Sequence, residues 1–151
     1  MKAVLFGHEV VEFLGFDNEC ADYFGCTFLY KNNVLLYRKA KATPKKAGYF
    51  VTLWKRDAFG KPVPYHEVDQ PVEYIIVVEW DTNIGAFVFP KQALVKYQVL
   101  STATREGKRG FRLYAPWDFP ESKQAQATKK WQSEYFRDMS VCGCASLFVS
   151  V

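Results

Sequence analysis

Cationic and aromatic side chains are interleaved in two segments of this sequence, and both types suit contact with phosphates and bases. Residues 31–56 contain eight Lys or Arg and no acid, and residues 108–112 add three further cations. Cations neutralise phosphates, and flat rings provide surfaces on which bases stack. The candidate nucleic-acid contacts are Arg38, Lys41, Lys45, Lys46, Trp54, Lys55, Arg56, Lys91, Lys108, Arg109 and Arg112. Charge alone leaves open that the lysines are merely solvated and that Trp54 packs in the core.

The elements that must position these side chains fit into one domain. The chain has 151 residues, of which 49% are hydrophobic, enough for a core without disulfides or metal. We expect a single domain over residues 1–140 and a tail over residues 141–151. The formal charge of +4 is distributed in alternating acidic and basic blocks, which predicts that folding gathers the basic blocks on one face.

The expected compartment is the cytoplasm. No apolar run is long enough to span a bilayer, and Glu9 interrupts the N-terminal segment before a signal core forms. We therefore expect no membrane partner, and we expect the four cysteines to stay reduced. A zinc site built from these cysteines is disfavoured, because ligand pairs in structural zinc sites usually lie about two to four residues apart. The cysteines are Cys20, Cys26, Cys142 and Cys144.

Most of the remaining pattern is typical of β-strands. β-branched and aromatic residues dominate six short runs, with Asn32-Asn33 between the first two suiting a hairpin turn. Two of the runs are apolar on both alternating faces, which is typical of central strands. The predicted strands are 27–30, 34–37, 49–54, 74–78, 86–89 and 111–114, of which 49–54 and 74–78 are the central ones.

Three helices complete the prediction. A short amphipathic helix is predicted from His8 to Leu14, and a second begins after Pro90. The Asp118-to-Glu121 spacing resembles a capping box, which predicts that a long C-terminal helix starts there. Its inward stripe would be Gln124, Thr128, Trp131 and Tyr135. The predicted fold class is therefore α+β, a mixed β-sheet flanked by helices.

Five segments, in order, resemble the MepB-like family. They are YRKAKATPKK (37–46), GYFVTLWKR (48–56), GAFVFPK (85–91), GKRGFRLYAPWD (107–118), and Gln124 with Trp131-Gln132 and Tyr135-Phe136. The resemblance covers residues 18–137, and several ordered motifs are more specific than one short pattern. It implies a fold similar to restriction-endonuclease-like nucleases and nucleic acid, DNA or RNA, as the partner class. It does not imply cleavage. Ala115 and Lys129 depart from the family pattern.

A nuclease of this fold class holds Mg²⁺ or Mn²⁺ between two carboxylates, with a lysine two positions after the second. Leu53 and Phe89 precede Lys55 and Lys91 by two positions, and neither side chain ligates a metal. An acid from elsewhere in the chain would have to replace them beside Lys55. The candidate acids are Asp69, Glu19 and Asp22. The catalytic set under this hypothesis is Asp69, Glu19 and Lys55, with the metal ligands unassigned.

The sequence thus supports three functions. The preferred one is a nucleic-acid-binding module that makes mainly phosphate contacts and needs no cofactor. The second is the metal-dependent nuclease. The third is a protein-interaction module, in which the predicted acidic helix and the apolar tail around Leu147-Phe148-Val149 recruit a partner or a second copy, giving a homo-oligomer.

Overall fold

The computed structural model describes residues 2–5 and 9–139, with side chains described from residue 12 onward. Twelve strands, two α-helices and one 3₁₀ helix occur within these residues. The strands are β1 (Lys2–Leu5), β2 (Glu9–Phe16), β3 (Cys26–Tyr30), β4 (Asn33–Lys39), β5 (Lys41–Ala42), β6 (Tyr49–Thr52), β7 (Trp54–Arg56), β8 (Pro62–Pro64), β9 (Pro71–Trp80), β10 (Asn83–Pro90), β11 (Gly110–Leu113) and β12 (Phe136–Asp138). The helices are the 3₁₀ helix Asn18–Tyr23, α1 (Lys91–Lys96) and α2 (Lys123–Ser133).

The main sheet has seven strands in the order β1-β2-β3-β4-β9-β10-β12. Strands β4 and β9 pair in parallel and the other neighbours pair antiparallel, so the sheet is mixed. This confirms the predicted α+β class with a mixed sheet. The predicted hairpin is β3-β4, and its turn is Lys31-Asn32, both with positive φ, rather than Asn32-Asn33.

Hydrophobic cores lie on both faces of the main sheet. Tyr74, Ile76 and Val78 of β9 belong to one core, and the alternate residues Ile75 and Val77 belong to the other, because neighbouring strand residues point to opposite faces. A second sheet, in the order β11-β6-β5, contributes to the first core. The two sheets are thereby packed together. The second sheet carries the predicted cations Lys41 and Arg112, and the loops beside its strands carry Lys45, Lys46, Lys108 and Arg109.

Two predicted elements need correction. Residues 9–16 form β2, not a helix, because pairing with β1 and β3 supplies hydrogen bonds on both sides, whereas a short isolated helix has an unfavourable nucleation step. The run 49–54 is not one strand of the main sheet. It divides at Leu53 into β6, the middle strand of the second sheet, and β7, which pairs with β8.

The long helix also begins later than its capping-box pattern predicts. Ser122 is the N-cap of α2 and accepts a hydrogen bond from the Ala125 N–H at 3.1 Å. Asp118 instead accepts from the Ala115 N–H at 2.8 Å, within the preceding turn. Pro90 precedes α1, as predicted.

The inward stripe of α2 differs as well. Gln124 is exposed, Trp131 is half-buried against the core, and Tyr135 follows the end of the helix. The residue that α2 buries completely is Gln132.

No helix of the described residues is long and apolar enough to cross a membrane. Cys20 and Cys26 are buried free thiols. Cys142, Cys144, the predicted tail 141–151 and its apolar residues 147–149 lie outside the described residues.

Candidate nucleic-acid interface

One row of side chains crosses the second sheet from edge to edge. The register pairs Lys41 of β5 with Phe50 of β6, and Phe50 with Arg112 of β11. Directly paired residues share a face of the sheet, so an aromatic ring lies between two cations. Lys41 is exposed, with its Nζ 4.8 Å from the ring centre of Tyr23.

Arg112 organises the loop that carries Lys45 and Lys46. Its guanidinium donates hydrogen bonds to the Thr43 hydroxyl and, at 2.8 Å, to the Ala47 carbonyl. Lys45 and Lys46 lie between these two acceptors and are both exposed. The loop therefore presents its lysines from a backbone that Arg112 holds in place.

Gly48 closes this loop by approaching β11 closely. Its φ is +90°, and a Cβ at this position would lie 2.5 Å from the Leu113 carbonyl oxygen. Only glycine fits such a position without strain. The geometry of the lysine loop thus depends on the residue at its end.

A basic trough runs between this loop, β11 and the N-terminal part of α2. It consists of two adjoining cavities of about 540 Å³ and 410 Å³. Both cavities share the lining residues Arg112, Tyr114, Ser122 and Ala125. Lys45 and Lys46 line the first cavity together with one acid, Glu121, and Lys108 lines the second, so cations lie along the whole trough.

The smaller cavity is also lined by aromatic rings. Tyr97 and Trp131 stack with ring centres 4.0 Å apart and planes 7° apart, and Phe50 lies in the same lining. The sequence assigned Trp131 to core packing and did not single out Phe50 or Tyr97. Phe50 was detectable in principle as an aromatic residue in a strand flanked by basic segments, but Tyr97 carries no such signal.

Two of the predicted cations are neutralised by acids near the ends of the second sheet. Arg56 forms a two-point salt bridge with Glu19, at 2.8 and 3.2 Å, and lies 5.3 Å from the Trp54 ring. This pairing lowers the pKa of the Glu19 carboxyl. Arg109 pairs with Glu106 at 3.0 Å. Trp54 is half-buried beneath Arg56.

Arg38 is in a different place from the one its predicted role requires. Its side chain is fully buried, with Nη2 2.5 Å from the Asp17 carboxylate and Nη1 2.9 Å from the Tyr37 carbonyl. Gly25 leaves room for the guanidinium, since a Cβ there would lie 2.8 Å from Nη1. Arg38 is therefore corrected from a surface phosphate contact to an interior ion pair.

Two phenols lie near this buried ion pair. Burial raises the pKa of both Tyr65 and Tyr74, and the Arg38 charge opposes the shift. Both phenols therefore stay protonated at neutral pH. The Tyr74 hydroxyl and the Arg38 Nε are buried without a hydrogen-bond partner among the described residues.

Lys55 and Asp69 line a second concave region, the Lys55 cleft, of about 760 Å³. The Lys55 Nζ lies 2.5 Å from the Asp69 carboxylate, and the Lys91 Nζ lies 2.5 Å from the Asp69 carbonyl. The other Asp69 carboxylate oxygen accepts the His66 N–H at 2.7 Å. The fold thus brings Asp69 beside Lys55, as the nuclease hypothesis requires.

The Lys55 cleft offers no second carboxylate that is free of other partners. Glu106 lines the cleft but pairs with Arg109. Glu19 is paired with Arg56, and Asp22 is an exposed residue that does not line the cleft. Asp57 does line it, but one of its oxygens accepts the N–H groups of Phe59 and Lys61 at 2.9 Å each. No group of three or more His, Cys, Asp or Glu among the described residues is arranged to hold a metal ion. Asp69, already bonded by Lys55, therefore does not form a site that fits Mg²⁺ or Mn²⁺ together with these engaged acids.

Comparison with known proteins places the chain in a family. The model of the MepB-like family matches residues 17–138. The crystal structure of MepB superposes with a TM-score of 0.83 at 36% sequence identity, over 89% of this chain and 91% of that one. No curated protein matches the sequence. The family model spans most of the chain, including every strand that lines the trough, and the chain therefore belongs to the MepB-like family.

Proposed function

We propose that this protein binds nucleic acid, DNA or RNA, through phosphate contacts along the basic trough. The observation that carries the proposal is the alignment of four cations on one concave surface that also has aromatic rings in its lining. The cations are Lys45, Lys46, Lys108 and Arg112. Such cations neutralise phosphates, and bases stack on such rings.

The lysines of the trough form no salt bridge among the described residues, as is also true of Lys61 and Lys130 outside it, and their alignment on one concave surface is what distinguishes them. Elsewhere, Lys39, Arg56 and Arg109 each have an acidic partner within 3.0 Å. In the part of the chain that the structure describes, Lys45, Lys46 and Lys108 form no salt bridge. Cations that form no salt bridge are available to an anionic ligand, and they outnumber Glu121, the acid that lines the first cavity.

The proposed fold relationship agrees with this partner class. We place the mixed sheet and its second sheet in the restriction-endonuclease-like group, on the strength of the family resemblance. That group acts on nucleic acid, which supports the binding proposal without requiring cleavage. Binding here would be largely independent of sequence, because phosphates carry no base identity.

The test measures binding to labelled mixed-sequence DNA and RNA by fluorescence anisotropy at a series of salt concentrations. Replacing Lys45 and Lys46 together with Ala removes two phosphate contacts. We expect the slope of log affinity against log salt to fall by about 1.4 to 1.8, with similar weakening for unrelated sequences.

The matched control replaces Lys61 and Lys130 with Ala. Both are exposed lysines that line neither cavity of the trough, so the net charge changes equally. We expect this control to keep nearly the wild-type slope. Equal slopes for the two double variants would remove the trough from the binding site.

The metal-dependent nuclease remains the second candidate, favoured by the Lys55–Asp69 contact at the edge of an open cleft. Metal would supply an activated water and charge neutralisation at the phosphate. Lys55 supplies one positive charge, and Asp69 one carboxylate. Because the pair already neutralise each other, we rank binding above cleavage.

A further inference from the structure

We infer that the basic trough prefers single-stranded over double-stranded nucleic acid, because it offers ring faces on which unpaired bases stack. The inference rests on the proposed function and specifies its ligand. A duplex covers the faces of its bases and exposes only their edges and the backbone. Stacking on aromatic side chains therefore requires unpaired bases.

The stacked pair of Tyr97 and Trp131 is half-buried, unlike the core aromatics. Phe87 and Phe89 are completely buried, whereas both rings of the stacked pair line the smaller cavity. Trp131 also packs against Phe89, with ring centres 5.6 Å apart. Trp131 therefore supports one face of Tyr97, and the Lys96 Nζ lies 5.2 Å from the Tyr97 ring centre.

The backbone fixes the position of Tyr97. It follows the end of α1, where its N–H donates to the Ala93 carbonyl at 3.0 Å. The next residue, Gln98, has a φ of +63° and turns the chain back toward the core. A ring held in this way loses little conformational freedom when a base stacks on it.

The cavity has suitable dimensions and chemistry for extruded bases. Its volume of about 410 Å³ falls within the range of about 300–1,000 Å³ found for small-ligand sites. Phe50 lies in its wall beside Arg112, and the exposed Gln124 amide offers donors and an acceptor to base edges. Lys45 and Lys46 lie at the adjoining cavity, where the backbone of the same strand would continue.

The experiment compares three labelled ligands of equal length: a mixed-sequence single strand, its duplex, and an abasic single strand. The two single strands carry the same phosphates, so their difference isolates the bases. We expect the normal strand to bind about 5- to 150-fold more tightly than the abasic strand for each stacked base. We also expect the single strand to bind more tightly than the duplex.

Tyr97→Leu removes the ring and keeps an apolar side chain. We expect it to reduce the ratio of normal to abasic affinity at least fivefold. Phe50→Leu is a second variant with the same expected direction. The matched control is Phe59→Leu, since Phe59 is 96% exposed and lines neither cavity, and its ratio should equal that of the wild type.

Equal wild-type affinity for normal and abasic strands would overturn the inference. If the Lys45/Lys46 double variant still weakened both strands, the proposed function would stand without base stacking. Absence of binding to all three ligands would overturn the proposed function and the inference together.

Discussion

Gln132 joins α2 to the second sheet, and its replacement gives the sharpest test of how the trough is held together. The side chain is fully buried. Its Oε1 accepts the Tyr114 N–H at 2.9 Å, and its Nε2 donates to the Arg112 carbonyl at 2.9 Å. Both partners lie at the end of β11, so one amide satisfies two backbone groups between helix and strand.

The expected loss of stability follows from the two backbone groups that Gln132→Ala leaves without their partner. The Tyr114 N–H is buried, and a buried group without a partner costs about 1–3 kcal/mol. The Arg112 carbonyl is only partly buried, so water recovers part of its loss. We expect the free energy of unfolding to fall by about 2–4 kcal/mol, a large share of the roughly 5–15 kcal/mol typical of a domain.

The assay is denaturant unfolding followed by circular dichroism. The matched control is Gln126→Ala on the same helix, because Gln126 also donates two side-chain hydrogen bonds but is exposed. The propensity change is identical, and we expect the control to stay within about 1 kcal/mol of the wild type. A loss for Gln132→Ala no larger than that for Gln126→Ala would refute the reasoning.

Two further predictions concern cleavage and the lysine loop. We expect no cutting of plasmid, linear duplex or single strand with Mg²⁺ or Mn²⁺, because the acids that line the Lys55 cleft are already engaged by Lys55, Arg109 or backbone N–H groups. Cleavage that chelator stops and Asp69→Asn abolishes, with binding retained, would make the nuclease the correct function. We expect Gly48→Ala to destabilise the fold by about 1–3 kcal/mol, because φ is +90° and the Cβ would meet the Leu113 carbonyl oxygen. Thermal unfolding checks this, and a wild-type midpoint would contradict it.

The strands were largely predictable because their residues are locally consistent. The hairpin of β3 and β4, the long strand β9 and its partner β10 all follow from β-branched and aromatic runs. The strand at residues 9–16 was not predictable, since its pattern also suits a helix. It forms a strand because it pairs with two neighbouring strands. Helix α2 begins later than predicted because Asp118 accepts a hydrogen bond within the preceding turn instead of capping the helix.

The site was predictable in composition but not in arrangement. The basic segments identified Lys45, Lys46 and Arg112, yet the juxtaposition of Phe50 with Arg112 depends on the register of strands far apart in sequence. Arg38 was predicted to lie at the surface, but it is buried. A charged residue in a strand is usually exposed, and only the space beside Gly25 and the carboxylate of Asp17 explains its burial. The burial of Gln132 was not predicted, because inward positions are recognised by hydrophobic side chains and Gln132 has a polar one.

The parallel pairing of β4 with β9 has a consequence for how this surface can diversify. Residues 40–70 connect these two strands, and they include β5 and β6 together with the lysine loop. The entropy of closing such a connection grows slowly, by about 0.6 kcal/mol for each doubling of its length. Insertions in the exposed loops of this connection therefore leave the seven-stranded sheet almost as stable as before. The scaffold can stay constant while the length and charge of the ligand-facing loops evolve.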